Sequence, residues 1–163
     1  MSFFVIIRGP LGVGKTTIAR MLAKELNAEY ISIDEILDKH GLDQAPPEAE
    51  CIPVENFIKA DEIIFPEVKQ LLEKNKPVIF DGCFYHKKHI EHIIENLNHP
   101  YFVFTLKASL DACIERDKNR NKTYGEGAAG AVHYLVSKFD YGILINTENK
   151  TVEETLRQVI ANI

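Results

Sequence analysis

The clearest chemical pattern in the chain lies close to its first residue and reads Gly9-Pro-Leu-Gly12-Val-Gly14-Lys15-Thr16. It matches the phosphate-loop pattern GxxxxGK[ST], whose glycines let consecutive backbone amides turn toward one anion at a helix N-terminus. Lys15 would reach the β- and γ-phosphates as a compact cation, and the Thr16 hydroxyl would bind Mg²⁺. The loop therefore predicts a site for ATP and Mg²⁺, with these nucleotide contacts: Gly9, Leu11, Gly12, Val13, Gly14, Lys15, Thr16 and Thr17.

The elements around this loop have the pattern of an α/β protein. Short apolar runs predict buried strands at 3–8, 29–33, 77–81, 101–106 and 142–146, and amphipathic segments lie between them. The predicted helices span 15–26, 56–74, 86–97 and 109–120, with a last one after the capping box that begins at Thr151. Pro66 should kink or split the second of these helices. The alternation predicts a parallel sheet in a single domain covering residues 1–163.

Two stretches show no regular pattern and are predicted to be loops. Residues 41–53 contain two consecutive prolines and several acids, and residues 121–130 are rich in glycine and alanine. Long loops on a rigid scaffold are where binding residues concentrate. His86, His89 and His92 are spaced by three, so on a helix they should fan around the surface, which argues against a metal site.

Binding a nucleotide leaves several functions open, and the chain lacks the marks of two of them. No Asn-Lys-x-Asp loop or DxxG switch of a GTPase is present. The third predicted strand ends Val-Ile-Phe-Asp81-Gly82, whereas the strands of large motor ATPases usually end in Asp-Glu. A basic segment from 115 to 122 precedes the glycine-rich stretch. Together these features favour a small kinase.

The ordered set of motifs resembles the nucleoside-monophosphate-kinase-like group of P-loop kinases, which includes shikimate kinase, gluconate kinase, chloramphenicol phosphotransferase and the kinase domain of polynucleotide kinase. The resemblance covers nearly the whole chain, although only the phosphate loop is highly specific. It implies a three-layer α/β/α P-loop NTPase fold with a five-stranded parallel sheet in the order 2-3-1-4-5. It also implies a LID at about 116–130 and an acceptor-binding region at about 34–65, both at the carboxyl ends of the strands.

Two carboxylates are candidates for the acceptor side of such a site. Asp34 follows the second strand, where the related kinases place an acidic residue that orients or deprotonates the acceptor hydroxyl. A helix N-cap is the other interpretation of Asp34. Asp81 could hold a magnesium-bound water or a substrate hydroxyl, or could serve only as a turn residue before Gly82. Shikimate kinases carry Asp-x-Asp where this chain has Ser32-Ile-Asp34, so shikimate is disfavoured.

Arg116 and Arg120 stand four residues apart, so on a helix they share a face. In the related kinases, LID arginines lie over the adenine or on the phosphates, and bidentate guanidinium donors suit the charge that spreads over the γ-phosphoryl oxygens. The resemblance therefore implies catalytic roles for both, with Arg116 also contacting the nucleotide. A solvated helix end is the alternative.

Composition limits the remaining possibilities. The chain has 163 residues, 45% of them hydrophobic, and a formal net charge of -5, which argues against a general nucleic-acid binder. The apolar runs are too short for a membrane span, and the three cysteines form no CxxC pair. We therefore expect a cytoplasmic, monomeric or homodimeric phosphotransferase with a small-molecule acceptor. The alternatives are a switch or slow ATPase with a protein partner, and a nucleoside or nucleotide kinase.

Overall fold

A computed structural model of the protein describes residues 2–120 and 125–163. Over these residues, five strands alternate with seven helices. The strands are β1 Phe4–Arg8, β2 Glu29–Ser32, β3 Val78–Gly82, β4 Tyr101–Lys107 and β5 Ile143–Asn146. The helices are α1 Lys15–Glu25, α2 Ile33–Lys39, α3 Val54–Glu73, α4 Lys87–Leu97, α5 Leu110–Lys118, α6 Glu126–Val136 and α7 Val152–Ile160. Each predicted strand is confirmed to within one residue at either end.

All strand pairs in the sheet are parallel, and the order is β2-β3-β1-β4-β5. In the register at the centre, Ile6 of β1 lies between Phe80 of β3 and Val103 of β4. The predicted fold and strand order are thus confirmed. Strands β2 and β3 lie on one side of β1, and β4 and β5 lie on the other, so the strand order switches sides at β1. In such sheets, ligands bind outside the carboxyl ends of the strands at this switch point. The phosphate loop follows β1 at that position.

Two hydrophobic layers cover the sheet because alternate residues of β1 point to opposite faces. Phe4 and Ile6 join the layer formed with α2, α3 and α4, whereas Val5 and Ile7 join the layer formed with α1 and α7. All four side chains are fully buried, and each contributes roughly 1.5–3 kcal/mol of hydrophobic stabilisation. This core makes the strand that leads into the phosphate loop one of the most constrained parts of the chain.

Helix α3 runs unbroken over 20 residues with Pro66 inside it, so the possibility that Pro66 splits the helix is wrong. An internal proline costs about 3 kcal/mol through the missing hydrogen bond and the clash of its ring. On either side of it, Phe65 and Val68 are buried in the core. Their packing offsets that cost and keeps the helix continuous.

The histidines of α4 do not fan around the surface as expected. His89 is 1% exposed and its Nε2 lies 3.1 Å from Oδ1 of Asp61, which is itself fully buried on α3. His92 Nδ1 lies 2.9 Å from the other oxygen of the same carboxylate. Residue spacing alone predicted exposed histidines. Asp61 is a shared polar partner that lets the imidazoles enter the interface between α3 and α4.

The glycine-rich stretch is also not a loop over the part that the structure describes. Gly125, with φ at 87°, precedes α6, which begins at Glu126 and contains Gly127 and Gly130. Each helical glycine costs about 1 kcal/mol relative to alanine, but this segment also has three alanines, and Ala129 is completely buried. Residues 121–124 of the predicted LID lie outside the described residues.

The capping box predicted at the start of the last helix is confirmed. The Thr151 hydroxyl accepts from the Glu154 N–H, and the Glu154 carboxylate accepts from the Thr151 N–H. Among the helices of residues 2–120 and 125–163, none has the length and apolar character needed to cross a membrane.

Candidate active site

The phosphate loop connects β1 to α1 through two left-handed glycines. Gly12 has φ at 81° and Gly14 has φ at 99°, and Gly14 is the N-cap of α1. A Cβ on Gly12 would lie 2.3 Å from the carbonyl oxygen of Cys113, so no larger residue fits without moving α5. The space beside Gly14 is open. The loop therefore presents its amides and the positive end of α1 to an unobstructed surface, as anion binding requires.

Lys15 lies in this loop with only 7% of its surface exposed. Its Nζ donates to the Pro10 carbonyl at 3.5 Å. Burial acts to lower the pKa of Lys15, but nearby Cys83, Asp81 and Asp34 outweigh it and the pKa is raised. Burial also raises the pKa of Cys83 to about 11, so near pH 7 Cys83 is a neutral thiol, and Asp81 and Asp34 are the negative groups beside Lys15.

Asp81 links three elements at the end of β3. Its Oδ2 accepts hydrogen bonds from the Thr16 hydroxyl at 2.7 Å and from the Tyr30 hydroxyl at 2.6 Å. Its Oδ1 is buried and has no hydrogen-bond partner among the described residues. A carboxylate oxygen left without a donor beside a phosphate loop is suited to a water of a hydrated Mg²⁺.

The same contacts test whether Mg²⁺ fits this site. A threonine hydroxyl has one donor and two lone pairs. Because the Thr16 hydrogen is directed to Asp81, its lone pairs are left for a cation. Thr16 as a direct ligand and Asp81 as a partner for a magnesium-bound water are therefore compatible with the residues present.

Asp34 belongs to the first turn of α2 and not to the end of β2. The N-cap of this helix is Ser32, whose hydroxyl accepts from the Glu35 N–H at 3.3 Å, so the alternative that Asp34 is the cap is wrong. The Asp34 side chain is solvent-accessible, but enough protein surrounds it for desolvation to raise its pKa. Asp81 and Glu35 raise that pKa further, while Lys15 lowers it. Asp34 thus lies in the electrostatic neighbourhood of the phosphate-loop lysine.

Arg116 joins the phosphate loop to the segment after β5. Its Nη1 donates to the Val13 carbonyl at 3.2 Å and to the Thr147 hydroxyl at 2.9 Å, and its Nη2 donates to the Thr147 carbonyl at 3.0 Å. Helix α5 ends at Lys118, so Arg120 lies beyond the helix, and the idea that both arginines share a helical face is wrong. They nevertheless meet around the same space.

That space is a cavity of about 310 Å³ over the phosphate loop. It is lined by residues of the loop, by the start of α1 and by both arginines: Gly12, Gly14, Lys15, Thr16, Thr17, Arg116 and Arg120. A second cavity of about 150 Å³ adjoins it between α1 and the start of α7, with Thr147 and Val152 in its wall. The two cavities have the positions expected for the phosphates and for the nucleoside of a bound nucleotide.

Of the other predicted nucleotide contacts, Gly9 packs too closely for a side chain, because a Cβ there would lie 2.7 Å from the Val13 side chain. Leu11 and Val13 bury their side chains, so only their backbones can meet phosphate. Sequence reasoning assigned no role to Tyr30, whose hydroxyl contacts Asp81 across the site. Tyr30 stands inside a predicted strand, so no local pattern distinguished it as a site residue.

The sheet order and the phosphate loop give this chain the fold of the P-loop kinases. The family model described as "AAA domain" (AAA_33) matches residues 4–135, which is most of the chain, and the protein belongs to this family. A protein of Pyrococcus abyssi named "Putative adenylate kinase" is 26% identical over 156 residues, covering 96% of this chain and 81% of that protein. A shikimate kinase of Oceanobacillus iheyensis is 30% identical over 112 residues, covering 69% and 58%. The solved structure of a sugar kinase from Janibacter sp. HTCC2649 superposes with a TM-score of 0.77 at 14% identity, covering 99% and 94%.

Proposed function

We propose that this protein is an ATP-dependent phosphotransferase that moves the γ-phosphate to a hydroxyl of a small acceptor. The observation that carries the proposal is the placement of Asp34. A carboxylate from a separate helix lies close enough to Lys15 and Asp81 for each to shift its pKa. A protein that only binds a nucleotide does not need a second carboxylate there.

Each residue of the site has a part in direct in-line transfer. The loop amides and Lys15 hold the β- and γ-phosphates and stabilise the charge that develops on them. Mg²⁺, held by Thr16 and a water on Asp81, would neutralise phosphate charge. Asp34 orients the acceptor hydroxyl and accepts its proton. Its raised pKa makes it a stronger base than an ordinary aspartate.

Arg116 and Arg120 complete the nucleotide side. Arg116 is oriented by its contacts with Val13 and Thr147, and both arginines line the cavity in which the γ-phosphate would lie. Closing them over the phosphates excludes water, which limits wasteful hydrolysis of ATP. We assign the LID to about 116–130 and the acceptor region to about 34–65, as the sequence indicates. The cytoplasmic location and the monomeric or homodimeric state stay predictions.

The test is a screen of hydroxyl compounds with Mg²⁺ and γ-labelled ATP, scored by transfer of label. The expected result is at least one compound that becomes labelled and accelerates ADP release above the basal rate. Labelled inorganic phosphate alone, released at a rate that no acceptor changes, would instead favour a slow ATPase or switch with a protein partner.

A further inference from the structure

We propose that the acceptor is a neutral or cationic hydroxyl compound that carries no phosphate or carboxylate group. This inference rests on the proposed function and concerns the acceptor half of the same site. It follows from where the cations and anions of the chain lie. Where no backbone nest is present, phosphate and carboxylate groups are often recognised by arginine, whose planar donors match their oxygens.

The chain has five arginines, and all lie within the described residues. Arg8, at the end of β1, is fully buried. It donates to the carbonyls of Phe84, Val136 and Phe139 and to the Thr105 hydroxyl, at 3.0–3.3 Å. Its guanidinium also lies 4.4 Å from the centre of the Phe139 ring. This arginine connects β1 to the end of α6 and cannot reach a ligand.

Of the other four arginines, three lie on the nucleotide side or in the opposite layer, and Arg20 pairs with a carboxylate of the acceptor region. Arg116 and Arg120 line the nucleotide cavity. Arg20, on α1, is 3.7 Å from the Glu35 carboxylate and stacks over the Tyr30 ring. Arg157 is on α7, which packs against α1 in the opposite layer from α2 and α3.

The acceptor region is rich in acids. Between residues 34 and 65 there are nine aspartates and glutamates and only two lysines. Lys59 borders a separate cavity with His40 and Glu62, and Lys39 is in the last turn of α2. Across the site, Lys138 pairs with Glu50 at 3.9 Å, so part of its charge is already compensated.

Carboxylates also lie beside the reacting groups. Desolvation raises the pKa of Asp34, Lys15 lowers it, and Asp81 and Glu35 each raise it further, so two of the charged groups close to Asp34 are themselves acids. A phosphate or carboxylate on the acceptor would bring further negative charge toward Asp34, Asp81 and the triphosphate. Arg20, the guanidinium nearest to these acids, is already paired with Glu35, so the added charge meets a surplus of carboxylates and is repelled.

The wall beside Asp34 offers neutral groups instead. Cys83 and Leu11 are buried together, and the half-buried Tyr85 packs against them. The Tyr85 ring lies edge-on to His86, whose Nε2 donates to the Ile52 carbonyl at 2.8 Å. A phenol ring can contact the apolar face of a sugar or an ammonium group, and its hydroxyl can bond an acceptor hydroxyl.

The first experiment compares acceptors that share a scaffold and differ in charge. Glucose, glucosamine, gluconate and glucose 6-phosphate form one set, and adenosine with adenosine monophosphate forms another. With labelled ATP and Mg²⁺, we expect kcat/KM for the neutral or cationic member to exceed that of its anionic counterpart at least tenfold. Faster transfer to the anionic member would overturn the inference while supporting the kinase assignment. If none of these compounds is labelled, and no member of a wider neutral and cationic panel is labelled either, both the inference and the kinase assignment are overturned.

The second experiment changes the local charge with Glu50→Lys. We expect the preference for neutral or cationic over anionic acceptors to fall roughly fivefold, mainly through KM. Glu73→Lys makes the same charge change at the last residue of α3, shortly before the start of β3 and so away from the carboxyl ends of the strands. This control variant should leave the acceptor preference unaltered. Circular dichroism would verify that both variants fold. An unchanged preference in Glu50→Lys, or an equal change in both variants, would contradict the electrostatic argument.

Discussion

The two halves of the site are built in different ways. On the nucleotide side, one continuous segment from β1 to α1 supplies backbone amides, and Gly12 is fixed by its contact with Cys113. On the acceptor side, separate segments supply side chains: Asp34 comes from α2, Cys83 and Tyr85 from the loop after β3, and Glu50 from the loop before α3. A backbone cradle leaves little room for variation, whereas an assembly of side chains can change one residue at a time.

This difference explains why the sequence predicts the ligand of the nucleotide half but does not predict the ligand of the acceptor half. The phosphates of ATP are the same in every enzyme, so the loop that holds them keeps one spacing. An acceptor is held by whatever groups fit it, and those groups need only converge in space. Variants of nucleotide-side residues should therefore lose nucleotide binding, whereas variants of acceptor-side residues should lose only phosphate transfer.

The largest effect is expected for Lys15→Ala. Removing the buried cation that faces the β- and γ-phosphates should lower kcat by about a thousandfold or more and weaken nucleotide binding. Steady-state kinetics and calorimetry with Mg²⁺ and ATP would measure both quantities. Lys24→Ala, an exposed lysine in the last turn of the same helix, is the matched control. Substantial turnover in Lys15→Ala would exclude the loop as the active site.

Asp34→Asn should separate the two sides most cleanly. Transfer should fall by roughly a hundredfold to ten-thousandfold, since the amide cannot accept the proton, while the Kd for ATP stays the same. Asp38→Asn, one turn further along α2, should be nearly silent. Equal losses in the two variants would mean that the helix, and not the Asp34 carboxylate, determines the rate.

The raised pKa of Asp34 leads us to expect two pH effects, each with a definite sign. As a base Asp34 must be ionised, so the rate should fall as the pH drops through its raised pKa. This acidic limb of the pH–rate profile should be absent from the residual activity of Asp34→Asn.

The second effect is on stability. A carboxyl group whose pKa is raised on folding binds more protons in the native state, so its contribution to the free energy of unfolding falls as the pH rises. Asp34→Asn should therefore melt at a higher temperature than wild type near pH 7. The difference in melting temperature should vanish below about pH 4, where the carboxyl group is protonated in both states. A lower melting temperature for Asp34→Asn than for wild type at pH 7 would contradict the raised pKa of Asp34.

Arg116→Lys is expected to act on the nucleotide side with a smaller effect. A lysine cannot reproduce the paired contacts with Val13 and Thr147, so KM for ATP should rise about tenfold, with KM for the acceptor little changed. Arg157→Lys makes the same exchange at an exposed position on α7. If the acceptor KM rises and the ATP KM does not, Arg116 belongs to the other half of the site.

The smallest effect is predicted for Tyr30→Phe, which removes one of the two hydroxyls bonded to Asp81. The Mg²⁺ concentration for half-maximal rate should rise about threefold, because one hydrogen bond that orients the carboxylate is lost. Tyr101→Phe, at an exposed ring on β4, is the control. Magnesium titrations that coincide for wild type and Tyr30→Phe would show that Asp81 does not act through the metal.

Much of this architecture could be predicted from local patterns, and the exceptions have physical causes. Strand runs and the phosphate loop depend on neighbouring residues, so they were found to within a residue. The continuity of α3 through Pro66 and the helical state of residues 126–136 depend on burial by distant elements, which overrides local propensity. The same holds for the pairing of His89 with Asp61, 28 positions apart.

Within the site, the sequence predicted side chains more easily than their surroundings. Asp34 was identified because it directly follows the second predicted strand, and Asp81 because it is the last residue of the third. The contacts of Tyr30 and Thr147 could not be predicted, because they join segments that are far apart in the chain. The buried role of Arg8 was equally hidden, although an arginine inside an apolar strand run is an unusual residue that called for an explanation.

Transfer of the terminal phosphate of ATP is the most direct test of the proposed function. In a mixture of wild-type protein, Mg²⁺, γ-labelled ATP and an uncharged or amine-bearing hydroxyl acceptor, we expect a labelled phosphate ester that forms together with ADP in equal amounts and is absent with Lys15→Ala. Label that appears only in inorganic phosphate with every acceptor, or an ester that forms equally well with Lys15→Ala, would contradict it.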